Sequence, residues 1–252
     1  TPKSTRLVRE LAKASTTVIT RGATYENRAN LAPAFLEQIV SRYEGTRMGR
    51  QEIYAELLDD VPGALWRRQM FDSRAPAPQD LDRIVVGVDP SVAASDSDGA
   101  AECGIVVVGT SGTGPALRGF VLEDASLRAG PDAWARRTVE MFHRWMADKI
   151  IAEDNNGGEM VELTIRTVDP HVPVRRVHAS RGKRTRAEPI AALYEQGRIF
   201  HTRPFPDLED QMATWIPDAG MESPDRMDAL VWAFSDILEA GGPPNVRWLE
   251  PR

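Results

Sequence analysis

Between residues 83 and 127 the chain carries three apolar, β-branched runs in close succession, RIVVGVDPS, ECGIVVVGTS and ALRGFVLEDASL. Nothing else in the sequence constrains the fold as much. Runs so rich in Val and Ile suit a pleated, buried surface and lose rotamer freedom in a helix. The stretches between them are short and rich in Gly, Ser and Asp, so hairpins join them and the three strands are antiparallel. From residue 130 the pattern alternates. GPDAWARRTVEMFHRWMAD reads as an amphipathic helix, KIIAEDNNGG as a buried strand entering a turn and GEMVELTIRTV as a helix. VPVRRVHAS is a strand, and TRAEPIAALYEQG a helix with Gly197 at its end. A short strand RIFHT, the segment PFPDLEDQMATWI and a closing helix follow. The expected architecture is a mixed α/β sheet, antiparallel over its first three strands and parallel afterwards, flanked by helices on both faces.

Residues 1–80 read differently. They are polar and mostly helical, with one short strand at TTVITRG, then the helices NLAPAFLEQIVSRYEG and RQEIYAELLDD behind Asn30 and Thr46 as start signals. SRAPAPQD is a linker, which divides the chain into units 1–80 and 81–252. No apolar run is long enough to span a bilayer and no signal-peptide pattern is present, so a soluble protein without a membrane partner is expected. The single cysteine, Cys103, can form neither an internal disulfide nor a thiolate metal site by itself, so any metal must be held by oxygen. A net charge of −6 excludes a chain that coats nucleic acid indiscriminately. A local basic groove is still open to it: VPVRRVHASRGKRTRAEP gathers Arg175, Arg176, Arg181, Lys183, Arg184 and Arg186, although such a run taken alone is more often a solvated face.

The acids stand where buried elements reach the edge of the sheet. Asp89 ends the first strand, Glu153 and Asp154 end the fourth, and Asp225 and Asp228 open the last helix in SPDRMDALVWAF. Ligands of open α/β sheets gather outside strand ends, so acids from distant parts of the chain can meet in one crevice. Two of them also have structural explanations. Asp89 before Pro90 can form a turn. Asp225, behind Ser223 as N-cap and Pro224 as first helical residue, suits the positive end of the helix dipole. Asp228 and Glu153 are harder to explain that way, because each adjoins residues that belong in a core, and a buried unpaired carboxylate costs on the order of several kcal/mol. Converging carboxylates cannot all stay ionised without a cation, and magnesium or manganese supplies one with oxygen ligands. Two such ions about 4 Å apart would hold a phosphodiester, one activating water and the other stabilising the leaving oxygen. SDSDGAAE matches only the middle of a calcium loop, with Ala94 and Ile105 where acids are needed, and reads as a solvated hairpin loop.

Five blocks, GVDPS, AEDNNGGEMV, ASRGKRTRAEPIAALYEQGRIFH, LEDQMATW and SPDRMDALVWAF, occur in that order. On them the chain, over about residues 82–240, resembles the C-terminal nuclease domain of the bacteriophage terminase large subunit, the DNA-packaging motor of tailed phages and related prophage or gene-transfer elements. TTVITRGATYENRANLAPAFLEQI and RYEGTRMGRQEIYAELL resemble the end of that subunit's ATPase domain and the segment joining it to the nuclease. The resemblance implies an RNase H-like fold and a metal-dependent endonuclease that cuts concatemeric double-stranded DNA. It implies portal, procapsid and small terminase subunit as partners, and the host bacterial cytoplasm as location. It places catalytic, metal-binding acids at Asp89, Glu153 and Asp228, adds Asp225 as a fourth ligand, and calls for two divalent cations, Mg or Mn. Position alone does not rank Asp154 against Glu153; the motif marks Glu153. In this light Arg181, Lys183, Arg184 and Arg186 become sequence-independent phosphate contacts, while His178 and His201 read as ordinary polar residues. No GxxxxGK(S/T) loop occurs, so this piece is not expected to hydrolyse ATP and the motor half would lie upstream of Thr1. A transposase or junction resolvase on the same kind of sheet, and a DNA-binding coupling module whose acids are structural, are the competing readings.

Overall fold

The computed structural model describes residues 11, 14–20, 22–32, 53–54, 61, 63–90, 102–154, 159–179, 182–217 and 224–240. Seven strands form one sheet: β1 (Arg83–Asp89), β2 (Glu102–Ser111), β3 (Arg118–Asp124), β4 (Leu127–Arg128), β5 (Lys149–Glu153), β6 (Val174–Val177) and β7 (Ile199–His201). Their order is β6-β5-β1-β2-β3-β7, with β4 paired to β2. β2 lies antiparallel between β1 and β3. β5 joins β1, and β6 joins β5, in parallel. The strands therefore run in the expected directions, antiparallel first and parallel afterwards, and β7 extends the far edge parallel to β3.

Among the described residues five helices cover the sheet: α1 (Pro131–Arg144), α2 (Glu159–Val168), α3 (Lys183–Glu195), α4 (Pro206–Thr214) and α5 (Asp225–Ala240). The segment PFPDLEDQMATWI becomes α4, opened by Pro206 in its first turn. Because successive side chains of a strand point to opposite faces, the Val and Ile runs supply two cores. Val85, Val106, Val108 and Ile151 pack with α3, α4 and α5, while Val86, Val88, Ile105 and Ile150 pack with α1 and α2. Trp66 and Phe71, ahead of the linker, are buried in the first of these cores.

Among the described residues before the linker, Thr24–Asn30 and Arg68–Phe71 are short 3-10 helices. TTVITRG is not a strand: residues 17–20 are irregular and exposed. β-branched residues favour a strand only where a ladder partner and a packed face exist, and this segment has neither. The helices expected behind Asn30 and Thr46, and the loop SDSDGAAE, lie almost entirely outside the described residues. No helix among the described residues is long and apolar enough to cross a membrane.

His201 is not an ordinary polar residue but a buried pin at the end of β7. Tyr194 Oη lies 2.8 Å from its Nε2, and Glu209 Oε1 lies 3.0 Å from its Nδ1. The same Glu209 oxygen accepts from Arg74 and from the Phe205 N–H, each at 3.0 Å. Neutral imidazole satisfies this chain, donating from Nδ1 and accepting at Nε2. Burial lowers the His201 pKa, against the opposing pull of Glu209. Burial would raise Glu209, but the bonds from His201, Arg74 and Phe205 outweigh it and bring that carboxyl to about 2.

Both groups have folded-state pKa values below their unfolded ones. The His201 contribution is complete above about pH 6.5 and is lost as pH falls towards the folded value, and that of Glu209 follows below about pH 4.3. The stability difference between wild type and His201→Gln, measured by urea unfolding, is therefore expected to be largest near neutrality and to shrink towards about pH 5. A difference that stays flat or grows on acidification would contradict the assignment.

Candidate metal centre

Two glycines let α5 lie directly on the sheet. A Cβ on Gly87 would fall 2.1 Å from the Ala229 carbonyl oxygen, and one on Gly104 would fall 2.0 Å from the carbonyl oxygen of Asp225. Any side chain at either position would lift the helix away. Gly104 pairs across the ladder with Asp89, so the first residue of α5 sits over the rung that carries Asp89. On the other side, Val88 pairs with Ala152 in parallel register, which brings Asp89 and Glu153 off neighbouring strands at the same edge. Asp228 follows one turn into α5, on the face of Asp225.

The electrostatics report the same convergence. Burial pushes the Asp89 carboxyl well above the usual carboxylate range, and the charges of Asp228, Glu153 and Asp225 push it further, with Lys183 partly offsetting them. Asp225 is pushed up to about 6 by burial first, then by Glu102 and Asp228. Asp228, buried to 2% exposure, accepts a 2.5 Å hydrogen bond from the Lys183 ammonium. Glu153, at 8% exposure, accepts one of 2.8 Å from the Trp232 indole N–H. Asp154 is turned towards β6, where it meets His178 Nδ1 at 3.0 Å.

Among the described residues no group of three or more His, Cys, Asp or Glu side chains stands ready to enclose an ion. The two most deeply placed acids are engaged by the Lys183 ammonium and by the Trp232 N–H. The fit to a divalent cation is one of charge and donor type: oxygen donors, mutual repulsion that raises Asp89 and Asp225, and one acid already holding a cationic group. Asp89, Glu153, Asp225 and Asp228 are the residues that could hold such an ion.

Three further side chains position these acids. Arg226, second in α5, reaches Asp124 at the end of β3 at 2.6 Å and Glu102 at the start of β2 at 2.9 Å. Burial would lower its pKa, but Asp124 and Glu102 raise it, so the guanidinium stays charged. Gln211 of α4 accepts from the backbone N–H of Arg226 at 2.9 Å and donates to Glu102 at 2.7 Å, taking up a donor that the helix start leaves without an intrahelical partner. Trp232 is the third. All three lie within the blocks LEDQMATW and SPDRMDALVWAF, yet nothing in their spacing names their partners.

The basic run divides. Lys183 lies inside the acid cluster, Arg184 bonds Glu188 on the exposed face of α3 at 2.7 Å, and the Arg186 guanidinium stacks 4.2 Å from the Trp232 ring centre. Arg175 pairs with Asp236 at 2.5 Å and Arg176 with Glu162 at 3.2 Å. Arg181, like Ser223, lies outside the described residues.

A three-stranded antiparallel meander continued by two parallel strands, with acids leaving β1, β5 and the closing helix towards one edge, defines an RNase H-like domain. The family model for the terminase RNase H-like domain matches residues 86–236, more than half of the chain, and the chain belongs to that family. Similar solved structures include the large terminase nuclease from thermophilic phage G20c, at 10% identity and TM-score 0.49, covering 67% of this chain and 95% of that one. The G20c nuclease is also solved with bound zinc and with bound cobalt. A large terminase from a thermophilic bacteriophage matches at 9% identity and TM-score 0.48, covering 86% of this chain and 54% of its own, so this chain spans about half its length. RuvC of Thermus thermophilus matches at 16% identity and TM-score 0.40, covering 63% of this chain and 95% of that one. No curated protein matches the chain.

Since the folded-state pKa of Asp225 lies above its unfolded value, the ionised carboxylate opposes folding, fully above about pH 6 and not at all below about pH 3.9. Such a shift corresponds to about 3 kcal/mol undiminished, and solvent screening of a half-buried group reduces it to about 1 kcal/mol. Asp225→Asn is expected to be more stable than wild type by that amount near pH 8 in urea unfolding, with the gain gone near pH 4. Equal or lower stability at the alkaline end would contradict the repulsion.

Proposed function

We propose that this chain is the nuclease domain of a viral DNA-packaging motor, a metal-dependent endonuclease that cleaves concatemeric double-stranded DNA by hydrolysis. The supporting observation is the convergence of acids from β1, β5 and α5: burial raises Asp89, and the charges of Asp228, Glu153 and Asp225 raise it further. Membership of the terminase RNase H-like family supports the nuclease class. In this reading Asp89, Glu153 and Asp228 hold two divalent cations, Mg or Mn, with Asp225 as a fourth ligand. When bound, such ions would supply an acidified water near neutral pH and stabilise charge on the leaving oxygen.

The protein's own side chains do the rest. Trp232 orients Glu153, while Arg226 and Gln211 fix the start of α5 and with it Asp225 and Asp228. Lys183 supplies the counter-charge on Asp228, and with a cation held by Asp228 its ammonium would be placed to meet a phosphate oxygen. Arg184 and Arg186, with Arg181, contact backbone phosphates without regard to sequence. Residues 1–80 are the end of an ATPase domain and a joining segment, and 81–252 the nuclease. Portal, procapsid and small terminase subunit are the partners that the motor reading brings.

A second reading is favoured by the Lys183–Asp228 and Trp232–Glu153 contacts: a DNA-binding coupling module in which the acids are structural. Supercoiled plasmid with manganese separates the two. Wild type is expected to nick and then linearise it, and Asp89→Asn and Glu153→Gln to cut slower by about a thousandfold or more. Retention of plasmid binding without nicking, or cutting undiminished by either substitution, would support the module or another site. A junction resolvase would cut branched DNA in preference to plasmid.

A further inference from the structure

We propose that the cleft between β6, α3 and α5 is a subsite for one nucleotide of a DNA strand beside the acids. The proposal rests on DNA being the substrate. The cleft has a volume of about 450 Å³, within the range of formed ligand pockets and far too small for a duplex. Its lining is apolar at Pro189, Ile190, Leu238 and Trp232 and carries the guanidinium groups of Arg176 and Arg186. An apolar lining suits a sugar or base, and guanidinium groups suit its phosphate.

Charge favours an anion. Three arginines line the cleft against two carboxylates, Asp236 and Glu239. Asp236, buried to 3% exposure, holds both Lys149 at 2.6 Å and Arg175 at 2.5 Å. Glu162, which holds Arg176, also holds Arg166 at 2.7 Å. Arg175 also reaches Glu239 at 3.6 Å, so that wall is balanced; the excess of positive charge lies on the Arg176 side, where two arginines share Glu162. Pro189 within α3 brings no N–H, so the Thr185 carbonyl at the cleft wall receives no helical hydrogen bond from it and is left as an acceptor for a sugar or base donor.

Two contacts tie the cleft to the acids. Trp232 offers its ring to Arg186 in the cleft and its N–H to Glu153. His178 lines the cleft and bonds Asp154, the residue after Glu153. A nucleotide in the cleft therefore lies next to the strand ends that carry the acids, so the cleft is where a strand passing the acids would be held in register.

The test is binding without cleavage. A fluorescein-labelled single-stranded oligothymidylate of about eight nucleotides, a length typical of single-strand sites, is titrated in EDTA at several salt concentrations. Arg176→Ala and Arg186→Ala are expected to bind about tenfold more weakly, each lowering the salt slope by about one. Ser235→Trp, which fills the cleft and removes no charge, is expected to weaken binding as well. Arg136→Ala, on α1 across the sheet, should bind as wild type. Arg176 is exposed on an edge strand, so its variant tests the site without disturbing the core. If Arg176→Ala and Ser235→Trp, folded by thermal unfolding, both bind as wild type, the subsite is refuted whatever the plasmid assay shows. If they lose binding while wild type never cuts plasmid, the subsite stands and the nuclease reading falls.

Discussion

The seating of α5 on β1 and β2 is the contact on which the rest depends. Gly87 and Gly104 allow helix backbone to rest on sheet backbone, which leaves no room for the helix to slide or tilt without losing the contact. Because Gly104 also pairs with Asp89, that one contact sets the distance between the acid at the end of β1 and those that open α5. Arg226 and Gln211 then fasten the free end of the helix to β2, β3 and α4. The position of two acids is thus fixed by backbone packing and by a buried ion-pair network, rather than by the acids' own contacts.

That arrangement works against stability at the place where it serves function. Burial first, and then the charges of neighbouring acids, raise the carboxyls of Asp89 and Asp225, while Asp228 meets a lysine and Glu153 an indole N–H. Elsewhere its buried charges are compensated. Asp236 holds two cations, and Glu123 meets Arg144, Trp145 and Arg203. Among the described residues, Asp89 and Asp225 are the carboxyls that burial and neighbouring acids push above the usual range, and they stand where β1 and α5 meet.

Much of this was legible in the sequence for physical reasons. Strand direction followed from the change between short polar loops and helical crossovers, and the acids stood out because each interrupts an apolar run at the end of an element. What stayed hidden depends on distant chain returning to the sheet. Lys183 meets Asp228 across 45 residues and Trp232 meets Glu153 across 79. No local pattern encodes such a pairing. His201 and Gln211 look like ordinary polar residues until β7 and α4 fold back, burying His201 and half-burying Gln211. TTVITRG failed in the opposite sense, since its composition favours a strand but its described residues 17–20 are exposed and join no strand.

The central claim is that Asp89, Glu153 and Asp228 share divalent cations in place of the Lys183 contact. Anomalous diffraction at the manganese edge from a manganese-soaked crystal tests it most directly. The account predicts a peak about 2.1 Å from carboxylate oxygens of Asp89 and at least one of the other two, with the Lys183 ammonium withdrawn from Asp228. No peak at saturating manganese, with Lys183 still seated on Asp228, would contradict it.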